Sequence, residues 1–265
     1  MTVRPACCRA MSLQILIIIS VFATAVLSGI LGMAGGMILM AILVSTVSVS
    51  AAMMIHGAVQ ATSNGSRCWF LRRHVQWQIL PAYVVGAGLA LAGFSLMNLV
   101  PDPAVVLIVV GALPWLARLL ARSLPGLNAL DMNRRGTACL CGLVVTSAQL
   151  LAGASGPLLD MFYLNSTLNR HQIVASKAIT QTLGHLLKLV YYGLIVGVVE
   201  DIPGWFYLLA MVTAVGGTRV GTRLLDRIAD HAFRKVSGWV ILAIATSFLI
   251  KGLCDLLKKI LWNEC

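Results

Sequence analysis

Two stretches of the chain carry basic and amide side chains at spacings that share one face of an α-helix. The first holds His56, Gln60, Asn64 and Arg67; the second, 121 positions later, holds Lys177, Gln181, His185 and Lys188. Steps of four, four and three residues align along a helix. These side chains supply N–H donors from several directions, which suits an anion with several oxygens. The offset continues upstream. Gly32 and Gly35, in the run Gly29 to Gly36, match Gly153 and Gly156, in Gly153-Ala-Ser155-Gly156-Pro157. Paired glycine clusters predict two helix breaks, where freed backbone N–H groups and half-helix N-termini would face the anion, with close small-xxx-small helix packing as the alternative.

The elements that must position these groups are built for lipid. The 265 residues are 59% hydrophobic and 11% charged, with a mean hydropathy of +0.89. A soluble domain has about a quarter of its residues charged. Apolar runs near or above the roughly 18 residues that span a bilayer recur along the chain. The fold class is therefore an all-α polytopic membrane protein, with the lipid bilayer as its first partner. A charge at membrane depth costs several kcal/mol, so a doubled basic face there implies a function. Irregular backbone at that depth is tolerated where it lines a watery cavity or is buried in protein.

The net charge of +11, from 20 Lys plus Arg against 9 Asp plus Glu, sits mostly in loops between apolar segments. The positive-inside rule accounts for it, and a nucleic-acid partner is excluded. Seven cysteines (Cys7, Cys8, Cys68, Cys139, Cys141, Cys254 and Cys265) form no paired CxxC motifs. They indicate neither a disulfide framework nor a metal site. The apolar run that begins at Leu13 continues to Val44 and contains Gly32 and Gly35, so it reads as a retained part of the fold rather than a cleaved signal.

Apolar windows predict helices near 13–30, 36–46, 49–68, 77–98, 104–121, 136–152, 157–165, 171–198, 204–222 and 236–257. Basic loops are expected at Arg67–His74, Arg118–Arg135 and Arg219–Lys235, and acidic turns at Pro101-Asp102-Pro103 and Glu200-Asp201-Ile202-Pro203. With basic loops inside and acidic turns outside, 136–165 must leave and return to one side. Each half then reads as a broken helical hairpin plus three transmembrane helices, giving inverted repeats over residues 1–125 and 126–265 within one membrane domain. A rival count of eight parallel-repeat spans places Glu200-Asp201 inside, against the charge rule.

Asp160 is the acidic residue well inside a predicted segment. It is a candidate for a coupling proton, with an ion pair to Lys177 or Lys188 as the structural alternative. Arg67 and Lys188 lie near predicted helix ends, where long side chains snorkel to the interface. Tyr191, Tyr192, Trp205 and Tyr207 read as interfacial belt residues. No GxSxG elbow, Walker lysine loop or HExxH pair is present, so no enzyme, cofactor or built-in ATP motor is indicated.

Together these residues resemble a known family. Gly32-x-x-Gly35-Gly36 after the first apolar run, Gly153-x-x-Gly156-Pro157, and Ala58-x-x-x-Thr62-Ser63-Asn64 are similar to motifs of the sulfite exporter TauE/SafE family. So is the run Ala175 to Lys188 followed by Tyr191-Tyr192-Gly193. Members often carry a proline soon after the first glycine cluster, where this chain has Met40-Ala41-Ile42. The resemblance implies export of small sulfur-containing anions such as sulfite or organosulfonates. The expected function is a multi-pass secondary transporter of the cell inner membrane, drawing on an ion or substrate gradient, with a proton or sodium as candidate coupling ions and the oligomeric state left open. Its anion site would be drawn from Gly32, Gly35, Gly36, His56, Gln60, Asn64, Gly153, Ser155, Gly156, Lys177, Gln181 and His185. Alternatives are a membrane redox protein using Cys139 and Cys141, and a non-transporting scaffold.

Overall fold

A computed structural model describes residues 6–31, 34–123, 131–164, 168, 170–197, 202–225 and 230–263. They form α1 (Ala6–Leu31), α2 (Ala34–Val44), α3 (Val49–Phe70), α4 (Leu80–Met97), α5 (Pro103–Ser123), α6 (Arg135–Ala152), α7 (Gly156–Leu164), α8 (Arg170–Val190), α9 (Gly204–Leu225) and α10 (Asp230–Asn263). Short 3₁₀ turns at Arg72–His74 and Trp77–Ile79 precede α4, and a π-helical turn, Tyr191–Val196, extends α8. There is no strand among the described residues. The ten helices fall where the apolar windows predict them.

Local chemistry sets several boundaries. Ser48 caps α3 by accepting from the Ala51 amide at 3.3 Å. Asn98 closes α4 in the left-handed conformation, φ 47°, and Asp102 accepts from the Ala104 amide at 2.8 Å where α5 begins. Gly153 ends α6 with φ 74°, and two non-helical residues separate it from α7. This is the break expected in the second half. The matching Gly32 and Met33 lie outside the described residues, between the end of α1 and the start of α2. The basic loops are shorter than expected, because α5 runs on to Ser123, α9 to Leu225, and α10 starts at Asp230.

Met11–Ile30, Trp77–Met97, Pro103–Leu120 and Arg135–Ala152 are each long and apolar enough to cross a bilayer. The outer surface is correspondingly apolar, with Leu96 90% and Leu194 81% exposed. Hydroxyls on the helices satisfy themselves locally. Ser20, Thr24, Thr62, Thr182 and Thr246 each donate to the carbonyl four residues back.

Helices pair as α1 with α9, α4 with α6, α5 with α10, and α3 with α8. Exchanging α1–α5 for α6–α10 leaves this set of pairs unchanged. Small residues permit the close approaches. A Cβ on Gly29 would lie 2.8 Å from Gly221 Cα, and one on Gly142 would overlap the Tyr83 carbonyl. The central pair, α3 and α8, runs antiparallel: Gly57 packs on Leu189 and Lys188, and Gly65 on Thr182. The pair α5 and α10 is antiparallel too, with Gly111 against Ala245 and Leu249, and Gly252 against Ala104 and Ile108.

Candidate functional site

The second glycine break and the first turn of α2 meet the polar faces of α3 and α8 around one small cavity. Its walls come from Ser28 on α1, Gly36 and Met37 on α2, His56, Gln60 and Asn64 on α3, Gln149 on α6, Ala154, Ser155 and Gly156 at the second break, and Gln181 and His185 on α8. The volume is about 20 Å³, a little more than one water molecule needs. The first turns of α2 and α7 contribute Gly36 and Gly156, so the positive ends of two helix dipoles face the same space.

A chain of hydrogen bonds orients one histidine toward this space. Ser155 Oγ donates to Gln149 Oε1 at 2.6 Å, which leaves the Gln149 amide nitrogen to face His185 Nδ1 at 2.7 Å. Gln149 Nε2 donates there, so His185 Nδ1 accepts and its proton sits on Nε2. Gln60 and Asn64 are 5% and 4% exposed. No hydrogen-bond partner accompanies their amides, or that of Gln181, among the described residues. Gln181 is half-buried, and all three amides border the cavity. Three converging on one cavity therefore form a ready donor set for a ligand with several acceptor oxygens.

A second chain joins Gly153, at the break before α7, to Gly36 in the first turn of α2. Lys188 Nζ donates to the Gly153 carbonyl at 3.1 Å and to His56 Nδ1 at 2.8 Å. His56 Nε2 in turn donates to the Gly36 carbonyl at 2.8 Å. The His56 and His185 rings lie 5.4 Å apart, tilted by 54°. Lys188 is fully buried, so it does not snorkel. The helix continues through the π-helical turn to Val196, which sets Lys188 deeper than its distance from Val190 suggests.

The predicted site residues divide by position. Gly36, His56, Gln60, Asn64, Ser155, Gly156, Gln181 and His185 line the cavity. Gly153 stands behind it, its carbonyl taken by Lys188. Gly35 faces α1, where a Cβ would overlap the Thr24 carbonyl, so its part is close packing of the hairpin. Lys177 does not line the cavity; it lies toward the other end of the α3–α8 pair, within electrostatic reach of Arg67. Arg67 itself donates to the Ser28 carbonyl at 3.3 Å. Gly32 and the Asp160 side chain are outside the described residues.

Ser28, Gln149 and Lys188 are the additions to the expected set. Ser28 and Gln149 are themselves 121 positions apart, a signal available in the sequence but masked by their unlike chemistry. Tyr191 and Tyr192 are fully buried rather than interfacial. Their hydroxyls donate to the Leu99 and Leu150 carbonyls at 2.9 and 2.8 Å. Cys139 and Cys141 are free thiols, and Cys141 is buried beside α4.

A family model described as Sulfite exporter TauE/SafE matches residues 16–248. No curated protein and no solved structure matches the chain.

Proposed function

The chain belongs to the sulfite exporter TauE/SafE family of membrane transporters, and from that premise we propose that it is a secondary transporter exporting a small sulfur oxyanion, sulfite or an organosulfonate, across the cytoplasmic membrane. The observation that carries this reading is the cavity between the first turn of α2 and the break before α7, walled by Gln60, Asn64, Gln181 and His185. Neutral N–H donors and two helix N-termini hold an oxyanion without a fixed countercharge in the wall. Selectivity follows from the same walls, because a partner lacking acceptor oxygens leaves the amides unpaired.

Transport requires the walls to part toward each side in turn. Two inverted halves, residues 1–125 and 126–265, rocking about this site would open it to each side in turn. Corresponding helices that run antiparallel, α3 with α8 and α5 with α10, support inverted halves. The faces of the molecule agree with that orientation. Lys259 meets Asp102 at 2.6 Å and Lys251 meets Ser45 at 2.6 Å, which gathers the 45–48 and 98–102 loops on one face. Arg72, Arg73 and His74 follow the opposite end of α3. We assign that basic face to the cytoplasm. Lys177 and Arg67 lie toward it and would draw anions to the site.

Thermal unfolding of the purified protein with sulfite, methanesulfonate and chloride tests the site. Sulfite at a hundred times its Kd should stabilise the protein by about 2.7 kcal/mol. The double substitution Gln60→Leu with Gln181→Leu should remove that gain. Equal stabilisation by chloride, or a gain that survives the double substitution, would refute the assignment.

A further inference from the structure

We propose that Lys188 is the proton-binding site of the transport cycle: it is a neutral amine in the empty state and takes up one proton when the anion binds. This rests on the anion site proposed above and adds the coupling ion.

The argument starts from donor accounting. A neutral lysine amine has two N–H donors and one lone pair, whereas an ammonium has three donors. Lys188 Nζ has two acceptors, His56 Nδ1 and the Gly153 carbonyl. The side chain is fully buried, so no bulk water solvates a third N–H. An ammonium here would also need a countercharge, since a buried unpaired ion costs several kcal/mol. Among the described residues the one ion pair is Lys259 with Asp102, on an outer face.

The described titratable groups on the surrounding elements do not supply that countercharge. His56 on α3 already spends both ring nitrogens, on Lys188 and on Gly36. His185, one turn before Lys188 on α8, accepts from Gln149. Tyr83 on α4 and Tyr192 after α8 donate their hydroxyls to the Thr180 and Leu150 carbonyls. Cys141 on α6 is a buried thiol. On α7, Tyr163 is buried and the Asp160 side chain lies outside the described residues.

The missing negative charge is the substrate's. His56 and His185 both border the cavity, so an anion placed there lies next to the Lys188–His56 pair. A proton added to the Lys188 lone pair becomes favourable when that anion arrives, and the anion is held more tightly once the proton is on. The uptake also acts on the fold. Neutral Lys188 bridges the Gly153 carbonyl, through His56, to the Gly36 carbonyl, and so ties the break before α7 to the first turn of α2. Turning Nζ toward an anion loosens that tie at the moment the site is loaded. Proton and anion then move as a pair, which reduces the net charge carried across the bilayer.

Calorimetric titration of the purified protein with sulfite, in two buffers of different ionisation enthalpy, counts the protons taken up. The titration is made at alkaline pH, where sulfite itself no longer binds protons. The wild type should take up about one proton per anion, and its affinity should fall about tenfold per pH unit. Lys188→Met and Lys188→Arg should both bind sulfite more weakly and with no proton uptake, while Asp160→Asn keeps the uptake. Gel filtration and thermal unfolding confirm that the variants are folded, and the arginine variant serves should the methionine variant fail. Sulfite binding by the wild type without proton uptake would overturn this inference and leave the anion site standing. So would uptake that persists in either folded Lys188 variant. No sulfite binding by the wild type would overturn the site and this inference together.

Discussion

Lys188, His56, Gln149 and His185 show how single side chains give this site its polarity. The Gly36 carbonyl accepts from His56 Nε2 and the Gln149 amide donates to His185 Nδ1, so the tautomers of both histidines follow from their neighbours. Gln149→Leu removes the acceptor for Ser155 and the donor to His185 Nδ1. Sulfite flux should fall about tenfold or more, as for loss of a buried hydrogen-bonding centre worth about 1–3 kcal/mol. Ser155→Ala removes one hydrogen bond and should cost only a few-fold; flux measured side by side distinguishes them. The sequence made part of this visible. His56, Gln60, Asn64, Gln181 and His185 share helix faces at the repeat offset, and all of them reach the cavity. Lys188 belongs to the same pattern, but its depth depends on the π-helical turn that carries α8 beyond Val190. A 3.6-residue periodicity does not contain that turn. Lys177 fits the pattern equally well and is set apart from the cavity by the antiparallel crossing of α3 and α8, which is a tertiary fact.

At the level of elements, the breaks and the tight crossings depend on glycine at defined points. Gly153 holds φ 74°, and a Cβ there would sit 2.6 Å from Met40 Sδ. Gly153→Ala should therefore destabilise the fold by about 1–3 kcal/mol, read from thermal unfolding. On α9, neighbouring glycines give an internal control. A Cβ on Gly217 would lie 2.7 Å from the Phe22 carbonyl of α1, while one on Gly216 meets nothing within 4 Å. Gly217→Ala should lower the unfolding midpoint and Gly216→Ala should leave it unchanged or raise it. Equal effects would contradict the α1–α9 register. The helices themselves were readable because lipid demands long apolar runs. Their partners were not, since exposed and buried faces of a membrane helix are both apolar. Tyr191 and Tyr192 illustrate this: their composition suits a membrane interface, yet both are buried and the carbonyls of Leu99 and Leu150 take their hydroxyls.

For the whole molecule, the account requires one face with the 45–48 and 98–102 loops and an opposite basic face. Asp102 marks the first. The hydrogen bond from Lys259 holds its carboxyl below the usual carboxylate value. The contact contributes stability above the unfolded pKa of about 3.9 and loses it as pH falls through the lower folded value. Both groups are partly exposed, at 32% and 60%, so Asp102→Asn should cost no more than about 1 kcal/mol at neutral pH. Labelling of cysteines introduced singly at Ser45 and at His74 should succeed from opposite sides of the membrane. Labelling of both from one side would contradict the topology. The most direct measurement is efflux of radiolabelled sulfite from proteoliposomes holding the purified protein. The account predicts saturable efflux by the wild type, at least about tenfold slower in the Gln60→Leu, Gln181→Leu double variant. Efflux no faster than from protein-free vesicles, or unchanged in that variant, would contradict it.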